Sequence, residues 1–152
     1  MTRQGNQIRT SQRSTTGIIA ALAIGCVLAR TAIANEFSIS PAFVSTGYVW
    51  EVSMDGAAAR KNPTLYLTRG QAYTFNVSNL AGFHSFYINT ASGLGSANAY
   101  TGGGLSANGV TSNATITFDV PDDAPDALYY NCGIHAPMAG KIDIVIFRGG
   151  FD

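Results

Sequence analysis

One short segment of the chain carries three soft metal-ligand side chains: the thiol of Cys132, the imidazole of His135 and the thioether of Met138. The sequence contains one further histidine, His84. Two imidazoles, a thiolate and a weak, long axial thioether are the ligands of blue, or type 1, copper centres. These four residues therefore predict a site for a single copper ion that alternates between Cu(I) and Cu(II).

Other readings of the same residues fit less well. Zinc is disfavoured because a thioether is not among its usual ligands, and an iron–sulfur cluster held by cysteines needs more than one of them. A binuclear copper centre needs a second cysteine in the loop, where Gly133 and Ile134 offer none. Taken singly, His84 could be a hydrogen-bonded core histidine, and Cys132 and Met138 could be core residues. Their joint placement favours metal binding.

Residues 1–34 have the pattern of a secretory signal peptide. Arginines precede an apolar run at residues 17–28, and Ala32-Ile33-Ala34 supplies a small-x-small cleavage pattern. The apolar run is shorter than the roughly 20 residues of a membrane-spanning helix. We therefore expect cleavage after Ala34, no membrane span in the mature chain, and a periplasmic or secreted protein. A membrane anchor and lipidation at Cys26 stay open as alternatives.

Cleavage would leave residues 35–152 as one domain, which is long enough for one β-sandwich core. Because Cys26 would be lost, Cys132 would be the single thiol, and a lone cysteine in an oxidising compartment is a liability unless it is buried or bound to metal. The domain would hold five basic and nine acidic residues, a net charge of −4. An acidic domain without a basic stripe is a poor candidate for binding nucleic acid.

From Glu36 onward the sequence shows short β-rich runs separated by Gly, Pro, Asn and Asp, without helical periodicity over a useful length. Runs such as 64–68 and 115–120 alternate apolar and polar side chains. Seven or eight such runs predict an all-β fold, a Greek-key antiparallel β-sandwich or barrel. The predicted strands are residues 42–45, 48–52, 64–68, 73–77, 84–89, 114–120, 127–132 and 141–147.

Two stretches do not have the pattern of strands. Residues 57–61 are small and partly charged, and we predict a connector or a turn of helix there. The segment from Ala91 to Asn113 is rich in Gly, Ser and Asn and is long for a loop. It could lie over or beside the metal end of the sandwich, with Tyr100 as its one bulky group, or it could be a surface excursion without a role.

The predicted strands can position the metal ligands. Tyr130 and Cys132 lie on the same face of one strand, so Cys132 points inward if Tyr130 packs in the core. Pro137 should restrain the segment that ends at Met138, and Gly140 should let the chain turn away before the next strand. The ligand loop is therefore predicted to be short and held at both ends.

With these motifs the sequence resembles the cupredoxins, the blue-copper family. The matching features are Gly-Phe-His at 82–84 after a β-run, Tyr-x-Cys at 130–132, and C-x₂-H-x₂-M followed by x-G at 132–140. The similarity covers roughly residues 62–146, and the spacing of the ligand loop is most like that of amicyanin. The resemblance implies a cupredoxin-like sandwich preceded by a signal peptide.

The resemblance also implies roles for individual residues. Ser85 would tie the two ligand-bearing segments together, and the exposed edge of His135 would lie in a small apolar patch where a redox partner protein docks. The ligands carried over by position are the imidazoles of His84 and His135, the thiolate of Cys132 and the axial thioether of Met138.

The function predicted from these residues is single-electron transfer between redox partners by a monomeric protein that is not an enzyme. Copper oxidases and nitrite reductases add a catalytic centre built from further histidines, which this sequence lacks. The alternatives are copper capture and delivery, or a structural surface-layer domain without electron transfer. Copper chaperones favour open sites rich in Met or His, whereas this sequence has three methionines and two histidines.

Overall fold

The computed structural model describes residues 35–146. The predicted signal peptide, with its Cys26, and the end of the last predicted strand lie outside the described residues. Within 35–146 the chain forms nine β-strands and no α-helix, and no helix there is long and apolar enough to cross a membrane. The strands are β1 (Glu36–Val44), β2 (Gly47–Met54), β3 (Arg60–Lys61), β4 (Leu65–Thr68), β5 (Ala72–Val77), β6 (Phe86–Asn89), β7 (Ala114–Asp119), β8 (Ala127–Cys132) and β9 (Ala139–Val145).

The strands form two sheets, which confirms the predicted β-sandwich. One sheet has the order β3-β2-β1-β5-β7 and the other has the order β4-β9-β8-β6. Each sheet is mixed, because β1 pairs with β5 and β4 pairs with β9 in parallel, whereas the other pairs are antiparallel. Trp50 and Phe75 of the first sheet pack against Phe86 of the second, with ring centroids 5.4 and 6.4 Å apart. The two inner faces thus share one core.

Several strand boundaries differ from those predicted: β6 begins at Phe86, two residues later than the predicted strand at 84–89, whereas other elements extend beyond their predicted residues. Strand β1 begins at Glu36 rather than at 42, and Phe37 and Ile39 alternate inward along it. The connector or helical turn predicted at 57–61 is wrong for its last two residues, because Arg60–Lys61 forms strand β3 and pairs with β2. Strand β9 begins at Ala139, two residues earlier than predicted. Pairing with a neighbouring strand extends β1, β3 and β9 beyond their local sequence signals.

The β1–β2 hairpin lies within the five-stranded sheet, between β3 and β5. The two strands pair along their whole length, from Phe37 opposite Met54 to Val44 opposite Gly47. Gly47 has a φ of 116°, which L side chains rarely adopt. The register places Phe43 opposite Tyr48, so two aromatic residues lie next to the hairpin turn.

The long loop between β6 and β7 packs against the sandwich. The side chain of Asn108 accepts a hydrogen bond from the backbone N–H of Ile88 (2.8 Å) and donates to the Ile88 carbonyl (2.7 Å) and the Tyr100 carbonyl (3.2 Å). Tyr100 is buried, and its ring packs edge-on against Phe118 of β7, with centroids 5.7 Å apart. The loop therefore connects the edge strands of the two sheets.

Candidate metal centre

Three of the four predicted ligands meet at one end of the sandwich. Cys132 is the last residue of β8, and it lies opposite Phe86, the first residue of the antiparallel strand β6. His84 precedes that strand by two residues and ends a turn in which its N–H donates to the carbonyl of the buried Leu80 (3.3 Å). His135 lies in the loop between β8 and β9. Strand pairing thus brings together residues that are 48 positions apart.

The donor atoms have the spacing of a metal site. The Sγ atom of Cys132 lies 3.8 Å from Nδ1 of His84 and 3.6 Å from Nδ1 of His135, and the ligand atoms of the three residues lie within 4.8 Å of one another. With zinc bond lengths as a guide, about 2.0 to 2.1 Å to nitrogen and about 2.3 Å to sulfur, tetrahedral to trigonal angles need S–N separations of about 3.5 to 3.8 Å. One ion therefore fits between these atoms.

The side chains of the three residues are shielded from solvent to different degrees. Cys132 is fully buried, His84 is only 7 % exposed and His135 is partly exposed. Burial, followed by the charge of the neighbouring His135, lowers the pKa of His84. The lowered pKa favours the neutral imidazole, which is the form that binds a metal.

Met138 closes the ligand loop from within. Its side chain is fully buried, its carbonyl accepts a hydrogen bond from the Cys132 N–H (2.9 Å), and its own N–H donates to the His135 carbonyl (3.1 Å). These bonds fold residues 132–138 into a compact loop whose last residue returns to its first. The thioether therefore belongs to the same loop as the thiol and the second imidazole.

Ser85 connects the two ligand-bearing segments, as the resemblance implied. Its hydroxyl and its backbone carbonyl both accept from the N–H of Gly133, at 3.1 and 3.2 Å. A Cβ atom at Gly133 would lie 2.3 Å from the Ser85 hydroxyl oxygen. The close approach therefore needs glycine directly after Cys132.

Asn62 supports the ligand loop from the other sheet, a contact that the sequence analysis missed. Its side-chain oxygen accepts from the Trp50 N–H (2.8 Å), and its amide nitrogen donates to the Pro137 carbonyl (2.8 Å). The backbone N–H of Asn62 also donates to the Trp50 carbonyl (2.8 Å). Its φ of 42° is one that asparagine tolerates better than most residues. The only signal in the sequence is the Asn-Pro turn at 62–63, which does not reveal the partner.

Gly140 has a different role from the predicted turn. It lies inside β9, directly opposite Tyr130 of β8, and an added Cβ would lie 2.2 Å from the Tyr130 hydroxyl oxygen. That buried hydroxyl donates to the Pro63 carbonyl (2.6 Å), and burial raises the pKa of Tyr130. Gly140 is therefore needed for the ring of Tyr130, which packs in the core as predicted and points Cys132 inward with it.

Comparison with known proteins gives matches among solved structures. No family model and no curated protein matches the chain. Rusticyanin from Thiobacillus ferrooxidans is 26% identical, with a TM-score of 0.42 over 73% of this chain and 78% of that one. A further structure of rusticyanin, described as a copper protein, is 25% identical with a TM-score of 0.47 and the same coverage.

A multicopper oxidase, McoA from Aquifex aeolicus, also matches, with 17% identity and a TM-score of 0.43 over 73% of this chain. This chain spans about a quarter of the oxidase, because the match covers 26% of its length. The similarity of the ligand-loop spacing to amicyanin stays a prediction. On its own strand order the chain is a two-sheet β-sandwich, and the donor atoms of His84, Cys132 and His135 lie close enough together to hold one metal ion.

Proposed function

We propose that this protein is a blue copper protein that carries single electrons between redox partners, with copper bound by His84, Cys132, His135 and Met138. The observation that carries the proposal is the position of the buried Cys132 sulfur, 3.6 and 3.8 Å from the two histidine nitrogens. Bound copper would supply one-electron redox chemistry between Cu(II) and Cu(I). The protein itself would position the ligands and provide the surface on which a redox partner docks.

Hydrogen bonds and strand pairing restrain the segments that carry the proposed ligands. Cys132 ends a paired strand, and its N–H is bonded to Met138. The His84 segment is connected to the Cys132 segment through Ser85 and Gly133. Because hydrogen bonds within and between the ligand segments restrain them, the ligands need little rearrangement when the charge of the site changes. Little rearrangement favours fast electron transfer.

The surface around His135 suits a transient partner. Two exposed apolar side chains flank the ligands in sequence: Phe83 (73% exposed) precedes His84 and Ile134 (64%) precedes His135. We propose that a redox partner protein docks on this apolar surface, since a small interface allows fast dissociation. The sequence holds two histidines in all, so it cannot build a second, histidine-bound catalytic centre by itself, and we propose that it is not an enzyme.

A redox titration of the copper-loaded protein tests electron transfer against copper delivery. We expect an intense visible band from thiolate-to-copper charge transfer that disappears on addition of one electron per protein and returns on oxidation. A colourless Cu(I) protein that readily surrenders its metal to a chelator would support delivery instead. A copper protein without reversible cycling would also contradict the electron carrier.

The axial position can be tested with Met138→Gln. The variant should keep copper but show a lower reduction potential, because the axial ligand tunes the potential of such centres. Voltammetry of both proteins measures the difference. Met54→Gln is the matched control, since Met54 lies on β2 and is 38% exposed. An unchanged potential in the Met138 variant would mean that Met138 is not the axial ligand.

We propose that the mature protein is the single domain 35–152, exported to the periplasm or the medium after cleavage behind Ala34. The support is the pattern of arginines, an apolar run and Ala-Ile-Ala at 32–34. Mass spectrometry of the exported, intact protein should find a chain that begins at Asn35. A lipid-modified Cys26 at the N-terminus would contradict this processing.

A further inference from the structure

Tyr48 contacts both histidines of the metal centre, although it comes from a different sheet. The predicted ligands lie in β8, in the loop after it and in the segment before β6, and both of these strands belong to the four-stranded sheet. Tyr48, in contrast, is the second residue of β2 in the five-stranded sheet. Its ring centroid lies 4.8 Å from that of His84, at 67°, and 4.9 Å from that of His135, at 47°. The two imidazoles are themselves 4.8 Å apart. One tyrosine ring therefore packs against the two predicted imidazole ligands together.

Neighbouring groups hold Tyr48 in this position. Phe43, its partner across the hairpin, packs edge-on against it with centroids 5.1 Å apart and is itself 73% exposed. Trp50, two residues along β2, is fully buried, and its backbone is hydrogen-bonded to Asn62, which also holds the Pro137 carbonyl. The strand that carries Tyr48 is thus connected to the ligand loop by hydrogen bonds. These bonds hold the backbone of the strand beside the ligand loop, and the Phe43 ring packs on the Tyr48 ring itself.

The contacts with Tyr48 limit the rotation of the imidazole rings. Rotation about χ2 of a histidine is a soft degree of freedom, and His135 is partly exposed, so burial alone does not fix its ring. A third ring that packs on both imidazoles restricts this rotation. Tyr48 is itself only 38% exposed, and the Phe43 ring packs against it.

We propose that Tyr48 is a positioning residue of the metal centre. Its ring keeps the imidazoles of His84 and His135 in the orientation that presents both Nδ1 atoms to the Cys132 sulfur, and it slows the loss of the bound metal. The proposal rests on the copper site proposed above. It assigns the effect to the aromatic ring and not to the hydroxyl, because both contacts are ring to ring.

Three variants separate these effects. Tyr48→Leu removes the ring, Tyr48→Phe keeps it, and Tyr66→Leu is the matched control, because Tyr66 is 64% exposed on β4 outside the site. A strong copper chelator should remove copper from Tyr48→Leu about tenfold faster than from the unmodified protein, as expected for the loss of two aromatic contacts. The spin-resonance spectrum of Tyr48→Leu should shift as well. Tyr48→Phe should restore both the slow release and the original spectrum.

Either of two results for the position 48 variants in the copper-loaded protein would overturn the proposal: equal release rates in Tyr48→Leu and the unmodified protein, or a Tyr48→Phe variant that behaves like Tyr48→Leu. A similarly accelerated release in Tyr66→Leu would also overturn it, because the effect would then not be specific to the site.

Magnetic resonance of the metal-free protein gives a readout that needs neither copper nor a variant. The ring protons of Tyr48 should show cross-relaxation with the imidazole protons of both His84 and His135. Absence of cross-relaxation to both rings would overturn the positioning role even if copper binds as proposed. If cross-relaxation is observed but the protein does not form a blue copper site, the contacts of Tyr48 are supported and the proposed function is contradicted.

Discussion

A Cys132→Ser variant is expected to lose the intense visible absorption of the copper-loaded protein and most of its affinity for copper. The thiolate is the softest ligand of the set, and soft sulfur ligands select copper in its reduced state. A serine hydroxyl is a hard donor in a fully buried position. The affinity should therefore fall by more than the roughly 10- to 100-fold that loss of a supporting residue costs a metal site. Copper titration followed by absorption measures both effects.

The control for this variant is the stability of its metal-free form. Serine is close to cysteine in size, so the main cost is a buried hydroxyl, about 1 to 3 kcal/mol on mutational scales. A metal-free variant that still unfolds cooperatively shows that the lost copper is not due to a lost fold. A folded Cys132→Ser protein that stayed blue would refute the ligand assignment.

Removal of copper is expected to lower the melting temperature substantially. The predicted ligands come from the turn before β6, the end of β8 and the loop after it, so an unfolded chain cannot present them together. At a free copper concentration 1,000 times the dissociation constant, binding to the native state alone adds about 4 kcal/mol to the free energy of unfolding. For a domain of this length that corresponds to roughly 15 °C. Scanning calorimetry with copper and with a chelator measures the difference.

The same calorimetric comparison on Cys132→Ser provides the control. Copper should raise the melting temperature of this variant by much less, because the strongest ligand is missing. A melting temperature of the unmodified protein that does not respond to copper, or an equal rise in both proteins, would contradict a site built on Cys132.

The part of the site that could be predicted from the sequence depends on local chemistry. Cys132, His135 and Met138 are close in the sequence, and His84 was the only other histidine, so residue types alone named the set. Alternation along β8 correctly predicted that Tyr130 and Cys132 point inward, since a strand has a two-residue period. The all-β fold followed from short alternating runs in the same way.

The parts that the sequence did not reveal depend on which strands become neighbours. Strand β3 exists because Arg60 and Lys61 pair with β2, and neither residue favours a strand by itself. The contacts of Asn62 with Pro137 and of Tyr48 with the histidines cross between the two sheets. No local pattern encodes such a contact, because it arises only when the sandwich closes.

The role of Gly140 also could not be predicted from the sequence. A glycine before a strand is typical of a turn, and no local pattern indicates that the Tyr130 ring occupies the space of its missing side chain. Pairing of β8 with β9 places the two residues opposite each other. The chemistry of the ligands was therefore predictable, whereas the packing that supports them was not.

The most direct test of the copper centre is the absorption and spin-resonance spectrum of the purified, copper-loaded protein. We predict one copper ion per chain, an intense visible thiolate-to-copper band and a Cu(II) spin signal of a single sulfur-bound site. A pale protein whose Cu(II) spectrum shows only nitrogen and oxygen ligands would contradict a centre formed by His84, Cys132, His135 and Met138.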